Sequence, residues 1–261
     1  MRALLFSGGV ESTCLAVMTR PDLAVTIDYG QVCAPGEIRA AKHIASLLGM
    51  PHRVIEVSLD HLGSGEMTGI PSDETAGRVS EHWPFRNQML LTVAAMALAD
   101  SDLRELIIGT VLTDRVHNDG TPEFLTAMER LLLTQLADFR LSAPASTITT
   151  DDLVRRSGVD RDLLGWTFSC HRAEVACGAC RGCNKSLELF AGPGRSCISM
   201  TKILGRPEAA VYDCRCECWL SDRKPVVRIR RWVRMRVMDP YPDDAEKGSG
   251  GGLDHGLNGK F

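Results

Sequence analysis

Short apolar runs alternate with helical stretches four times before residue 140, and that alternation leaves few folds open to the chain. Residues 2 to 6 read as a first short strand, and a glycine turn leads from it into a helix starting near Ser12. Leu23 to Asp28 reads as a second strand. The helix after it sets Ile38, Ala41, Ala45 and Leu48 on one face and ends at Gly49. Arg53 to Val57 is a third strand, and Asn87 to Ala99, apolar nearly all round, is expected to be a buried helix. Leu106 to Gly109 is a fourth strand. Thr121 then caps a helix with Pro122 in its first turn and Phe124, Met128, Leu131 and Leu132 along one face. Strands interleaved with helices predict an α/β fold, a doubly wound, mostly parallel sheet. Right-handed crossovers then put ligands at the carboxyl ends of the strands. Residues 140 to 169 read as loop and short helix, and helical periodicity is lost from Gly192 onward.

The end of the first strand is the most informative turn. In "LLFSGGVESTCL" an apolar run passes through Ser7-Gly8-Gly9 and opens a helix carrying Glu11, Ser12 and Thr13. Without a Cβ, glycine leaves its backbone N–H groups open to a ligand, and with the helix N-terminus they form an anion cradle. The stretch has neither the Gly-Lys-Ser/Thr of a Walker loop nor the Gly-x-Gly-x-x-Gly of a dinucleotide turn. The plainer reading is a strand–helix turn that carries no ligand. Two further stretches fall where a ligand would sit: "TIDYGQ", ending the second strand with Asp28-Tyr29-Gly30-Gln31 and followed by Glu37, and "WPFRNQMLL", which puts Arg86-Asn87 at a helix start. For Arg86 alone, a surface salt bridge is the simpler role.

Four of the ten cysteines lie within "SCHRAEVACGACRGC": Cys170, Cys177, Cys180 and Cys183. Two C-x2-C steps with Gly178 and Gly182 between them let three thiolates face inward on one tight loop, and Cys170 completes a tetrahedron. Four thiolates describe a structural Zn²⁺ site without an open position. The spacing also suits an iron–sulfur cluster. Met1 to Phe6 reads as a strand rather than a signal peptide, so a cytoplasmic compartment with free thiols is expected. No apolar run approaches the ~20 residues that a membrane-spanning helix needs. A formal net charge of -3 gives no support to a dedicated nucleic-acid binder. A local exception is "PVVRIRRWVRMRV", residues 225 to 237, a strand pattern with one basic face that suits a nucleic acid, an acidic partner or a solvated edge. Cys214, Cys216 and Cys218 precede it, and with Cys197 they are a weak candidate for a second metal site.

Together, Ser7-Gly8-Gly9-x-Glu11-Ser12, Asp28-Tyr29-Gly30-Gln31, Arg86-Asn87 and the four cysteines resemble the 7-cyano-7-deazaguanine synthase family of the PP-loop ATP pyrophosphatases, in order and spacing, across roughly residues 1 to 190. The resemblance implies an adenine-nucleotide α-hydrolase-like domain over residues 1–140 and a zinc-binding, substrate-side segment over 141–192 packed on it. A divergent extension, 193–247, and a flexible tail, 248–261, remain. It implies a cytoplasmic ligase, often a homodimer, that uses ATP, Mg²⁺ and Zn²⁺. The family adenylates the carboxylate of 7-carboxy-7-deazaguanine, forms an amide with ammonia, and dehydrates the amide to the nitrile with a second ATP. Carried over by position, Ser7, Gly8, Gly9, Ser12, Thr13, Asp28, Tyr29, Gly30, Gln31 and Asn87 would bind the nucleotide. Arg86 would act near the activated group, Glu11 would serve Mg²⁺, and Asp114 would accept from the nucleobase.

Three positions depart from the family pattern. Glu11 stands for Asp, His117-Asn118-Asp119-Gly120-Thr121-Pro122 replaces a Tyr-Pro-Asp-Cys segment, and Ser186 stands where the family has a basic residue. Retained ATP motifs beside an altered substrate loop predict an adenylating enzyme that forms one amide bond, with the second dehydration to the nitrile 7-cyano-7-deazaguanine left open. Its nitrogen nucleophile would be ammonia or, as in family relatives from anti-phage defence, a protein amine. Two other readings remain open at this level: a PP-loop enzyme acting on tRNA, favoured by the Arg-rich strand, and a non-catalytic scaffold subunit, favoured by Glu11 and the changed loop.

Overall fold

Strand β1, Arg2–Leu5, sends Ala3 and Leu5 to one side of the sheet and Leu4, with the adjoining Phe6, to the other, as the two-residue period of a strand requires. All four side chains are buried, so helices must cover both faces. In this computed structural model, which describes residues 1–63, 65–69 and 83–191, they do. Strands β2 (Leu23–Asp28), β3 (His52–Glu56), β4 (Glu105–Ile107) and β5 (Arg140–Ser142) join β1 in one sheet of order β3-β2-β1-β4-β5, each neighbouring pair parallel. Leu4 lies between Ala24 of β2 and Ile107 of β4. Strand order reverses between β1 and β4, and a crevice opens at such a switch point.

Helices α1 (Val10–Thr19), α2 (Ala34–Leu47), α5 (Thr150–Ser157), α6 (Arg161–Leu164) and α7 (Arg181–Ala191) supply the core on the Leu4 face, through Cys14, Leu15, Ile44, Leu153, Leu164 and Leu189. Helices α3 (Arg86–Leu98) and α4 (Pro122–Leu132) cover the Leu5 face with Leu91, Ala94, Ala95, Leu98, Leu125, Met128 and Leu132. The α/β, doubly wound reading therefore holds. Among the described residues no helix is long and apolar enough to cross a membrane. The expectations for residues 193–261, including the basic strand at 225–237 and Cys197, Cys214, Cys216 and Cys218, lie outside the described residues.

Several expectations need correction. β5 falls within the stretch read as loop and short helix. Three residues carry no usable period, and this strand is held by its neighbour: Ser142 O accepts from Ile108 N at 2.9 Å, and Ser142 Oγ donates to Glu105 at 2.5 Å. Glu105 also accepts from Arg2 Nε at 2.7 Å, so one carboxylate ties β1, β4 and β5 together. Helix α3 is not buried all round: Met96 is 73% exposed and the buried stripe is Leu91, Ala94, Ala95 and Leu98. In α4, Met128 and Leu132 are buried as expected, but Leu125 is buried and Leu131 faces solvent, so the helix is turned by only a fraction of one residue step from the expected face. Thr121 does cap it, accepting from Phe124 N at 3.2 Å.

Phe85 precedes α3 with φ 59° and ψ 17°, the left-handed region that suits glycine and costs a bulky residue about 1–2 kcal/mol. Its side chain is 73% exposed, so little burial offsets that strain. Phe85→Gly is accordingly expected to leave the urea unfolding midpoint unchanged or raise stability by about 1 kcal/mol, although it deletes an aromatic ring. A loss of more than about 1 kcal/mol would show that the ring packs in solution.

Candidate active site

The cradle is built where β1 meets α1. Gly8 has φ +74°, and a Cβ on it would lie 2.6 Å from Ala41 N, so only glycine lets the turn press against α2. Gly9 is the N-cap of α1, and its carbonyl accepts from Thr13 N (3.0 Å), Thr13 Oγ1 (2.8 Å) and Ser12 Oγ (3.2 Å). Thr13 is thus fully buried and holds the turn from behind. Ser7 Oγ lies 3.4 Å from Ser12 Oγ and accepts from Gly9 N at 3.3 Å. The first-turn N–H groups of α1 have no acceptors within the helix, which makes this end electropositive and suited to phosphate.

Ser7, Gly9, Glu11 and Ser12 line a cavity of about 300 Å³ at the carboxyl ends of β1, β2 and β4. The same cavity is lined by Tyr29, Arg86, Asn87 and Asp114, so eight of the sequence-derived site residues meet there. Gly8, Thr13, Asp28, Gly30 and Gln31 do not line it; Gly8, Thr13 and Gln31 bond to residues that do. Asp28 accepts from Gly30 N at 3.1 Å. Gln31 is buried, accepts from Tyr29 N at 2.9 Å and donates to Ile27 O at 3.3 Å and Glu37 Oε2 at 2.9 Å.

Glu37, which sequence reasoning noted without a role, lines the cavity as well. Burial pushes its carboxyl up, against the pull of Gln31, Cys33 and Arg86. Burial also raises the Tyr29 phenol well above its ordinary range. The ring is 4% exposed and meets Trp83 edge-on at 4.9 Å. Arg86 donates to Met67 Sδ at 3.2 Å. Burial works against its charge, but Tyr29, Asp119, Glu37 and Asp114 around it raise its affinity for the proton further, so the guanidinium is a fixed cation. Asn87 donates from N to Asp119 Oδ2 and from Nδ2 to Asp119 O, each at 2.9 Å, and so pins the loop of residues 117–122. Asp114, expected to meet a nucleobase, lines the cavity and commits Oδ2 to Val111 N at 3.0 Å.

Glu11 reaches across the cradle. Its Oε1 accepts from Thr150 Oγ1 at 2.8 Å and lies 2.5 Å from Lys185 Nζ. Burial raises its pKa, but the Lys185 ammonium and the Thr150 hydroxyl outweigh burial and leave it below the usual value. The sequence reading treated Ser186 as the loss of a basic residue. The base is present one position earlier, since Lys185 lines the cavity from α7. His117, first residue of the loop that departs from the family pattern, lines the cavity as well, whereas sequence reasoning missed Thr150, Phe168 and Thr110. Only Thr110, directly beyond β4, stood where a strand-end rule would have flagged it.

The cysteine segment closes one side of this site. Cys170, Cys177, Cys180 and Cys183 place their sulfurs within 4.8 Å of one another, with Cys177–Cys183 at 3.9 Å and Cys170–Cys180 at 4.0 Å. A tetrahedral ion with bonds of ~2.3 Å sets its sulfurs ~3.8 Å apart, whereas a disulfide needs ~2.05 Å. Backbone N–H groups of His171, Cys180 and Cys183 point at sulfur acceptors, each at 3.4 Å, as thiolates require. Hydrogen bonds from Cys180 and Cys183 lower the pKa of the Cys170 thiol. A Cβ on Gly182 would lie 1.8 Å from Ser169 O, so the C-x2-C turn demands glycine there. The donor set fits a structural divalent ion such as Zn²⁺. Phe168 N donates to Gly8 O at 3.0 Å, and Arg172 pairs with Glu66, so the segment is bonded both to the cradle and to the loop around Met67.

A protein-family model described as "Queuosine biosynthesis protein QueC" matches residues 2–192. Among curated proteins, the chain is 30% identical over 213 residues to a 7-cyano-7-deazaguanine synthase of Pseudomonas aeruginosa, covering 74% of this chain and 94% of that protein. The Azotobacter vinelandii protein of the same name is 31% identical, covering 73% and 93%. That of Azoarcus sp. is 32% identical, covering 73% and 92%.

Proposed function

The chain belongs to the queuosine biosynthesis protein QueC family, and from that premise we propose that it activates the carboxylate of 7-carboxy-7-deazaguanine with ATP and joins it to a nitrogen nucleophile. The observation that carries this reading is the single cavity connecting the Ser7–Ser12 cradle to Arg86, Glu37 and Asp114. A phosphate-binding end and a charged, hydrogen-bonding end share one space of about 300 Å³. That is what bringing a nucleotide and a planar acid together requires.

A carboxylate is a poor electrophile. Attack of its oxygen on the α-phosphorus of ATP expels pyrophosphate and leaves an acyl-adenylate. A nitrogen nucleophile then adds to the acyl carbon and AMP departs, with one proton lost from nitrogen. Ser7, Gly9, Ser12 and the first turn of α1 would hold the phosphates. Mg²⁺ held by Glu11 would offset charge on the departing pyrophosphate. Lys185 adds a second cation beside that carboxylate, so the longer Glu11 side chain is compatible with phosphoryl chemistry. Arg86 would orient the acid's carboxylate, and the four-cysteine site would hold Zn²⁺ without taking part in the reaction. The reading carries with it a homodimer and, as nucleophile, ammonia or a protein amine.

The altered 117–122 loop, pinned on Asn87, favours an enzyme that stops after one amide bond. Mass spectrometry of the purified protein with Mg²⁺-ATP and 7-carboxy-7-deazaguanine, with and without ammonia, tests both parts. AMP, pyrophosphate and the amide, with no nitrile, are expected. Nitrile product would overturn the truncated reaction, and absence of AMP with folded, zinc-loaded protein would overturn adenylation.

A further inference from the structure

Thr110 follows β4 at the strand-order switch, and its side chain has a property that the site described above does not use. It is 5% exposed and lines the cavity, yet its Oγ1 has no hydrogen-bond partner among the described residues. Burying an unpaired hydroxyl costs stability, and a shape-equivalent apolar side chain would remove that cost. A hydroxyl kept in such a place is explained if the ligand completes it. The neighbouring residue indicates which part of the ligand. A Cβ on Gly109 would lie 3.6 Å from Ser12 N and 3.8 Å from Glu11 Cβ, so this strand end runs against the first turn of α1, the phosphate-binding end of the cavity. Phosphoryl oxygens only accept, and a threonine hydroxyl can donate.

We propose that Thr110 is a nucleotide-positioning residue whose hydroxyl donates to a phosphoryl oxygen of ATP bound in this cavity. The assignment rests on the adenylation reading for its chemistry, but binding of ATP tests it separately. A hydrogen bond to a charged acceptor is worth about 10- to 100-fold in affinity. Thr110→Val should therefore weaken ATP binding, measured by titration calorimetry without the acid, by about that factor, and raise KM for ATP more than KM for 7-carboxy-7-deazaguanine. The ligand-free variant should melt at or above the wild-type temperature, and its ATP-induced upward shift should largely vanish. Thr110→Ser, which keeps the hydroxyl, should bind ATP within about threefold of wild type.

Wild-type ATP affinity in Thr110→Val would overturn the assignment. So would a KM increase confined to the deazaguanine acid, or a ligand-free melting temperature that falls along with binding. Wild-type protein that fails to bind ATP would overturn it together with the proposed function. Wild-type protein that binds ATP without forming AMP would overturn the proposed function alone, leaving the variants' affinities to decide for Thr110.

Discussion

Cys180→Ser is expected to remove the bound metal, lower stability by at least about 3 kcal/mol and abolish turnover. Cys180 is 1% exposed, and its sulfur accepts from both His171 N and Cys183 N while touching Cys170. A serine hydroxyl is a poor ligand for a soft site, and the three remaining thiolates would hold the ion weakly. The damage should spread in a defined direction. Residues 168 to 191 carry Phe168, bonded to Gly8 O, and Lys185, paired with Glu11, so loosening the metal loop strips two supports from the cradle. The sheet keeps its own core on both faces, which argues for local rather than global unfolding. Hydrogen exchange should show protection lost across 168–191 and kept in β1 and β4. Elemental analysis should find one zinc per chain in the wild type and little in the variant, with the same state reached by treating the wild type with a strong chelator. Stoichiometric zinc and an unchanged melting temperature in Cys180→Ser would refute the ligand assignment.

What the sequence displayed and what it hid follow one physical line. Signals carried by consecutive residues were readable: Leu23–Asp28 as a strand, the Ser7-Gly8-Gly9 turn and the cysteine spacing all depend on local geometry. Features created by the meeting of distant segments were not. β5 exists because Glu105 and the backbone of Ile108, both far from it in sequence, hold Ser142. Lys185 belongs to the site because α7 packs against the same face as α1, a fact that no spacing within "CNKS" contains. The position three residues after the last cysteine invited a reading of loss, although the helix delivers a cation from two residues after it. Likewise Gln31 and Thr13 look like ligand-binding residues by motif, but their side chains are spent on Tyr29, Glu37 and Gly9. Motifs pointed to residues that gather around one cavity, and only packing reported which of them line it.

Arg86→Met is expected to cost about 3–5 kcal/mol of stability near pH 8, because it leaves buried carboxylates without their cation. Loss of turnover by about 10²- to 10³-fold or more should accompany it. The pH dependence identifies the orphaned charge. Burial already pushes the Glu37 carboxyl above its unfolded value, and Arg86 is one of the groups restraining it. Removing Arg86 raises it further. A carboxyl whose folded pKa is raised costs stability while ionised, and the cost disappears as pH falls through that folded pKa toward the unfolded value near 4.5. The deficit of Arg86→Met relative to wild type should therefore be largest at pH 8 and shrink steadily toward pH 5, as read from urea unfolding at each pH. Adding Glu37→Gln should recover part of the stability at pH 8, since the amide needs no counter-charge. On the proposed reaction it should not recover turnover, because the acid's carboxylate would still lack the cation that Arg86 is proposed to supply. A double variant that regains both would make Arg86 a structural residue only, and a deficit independent of pH would locate the orphaned charge elsewhere.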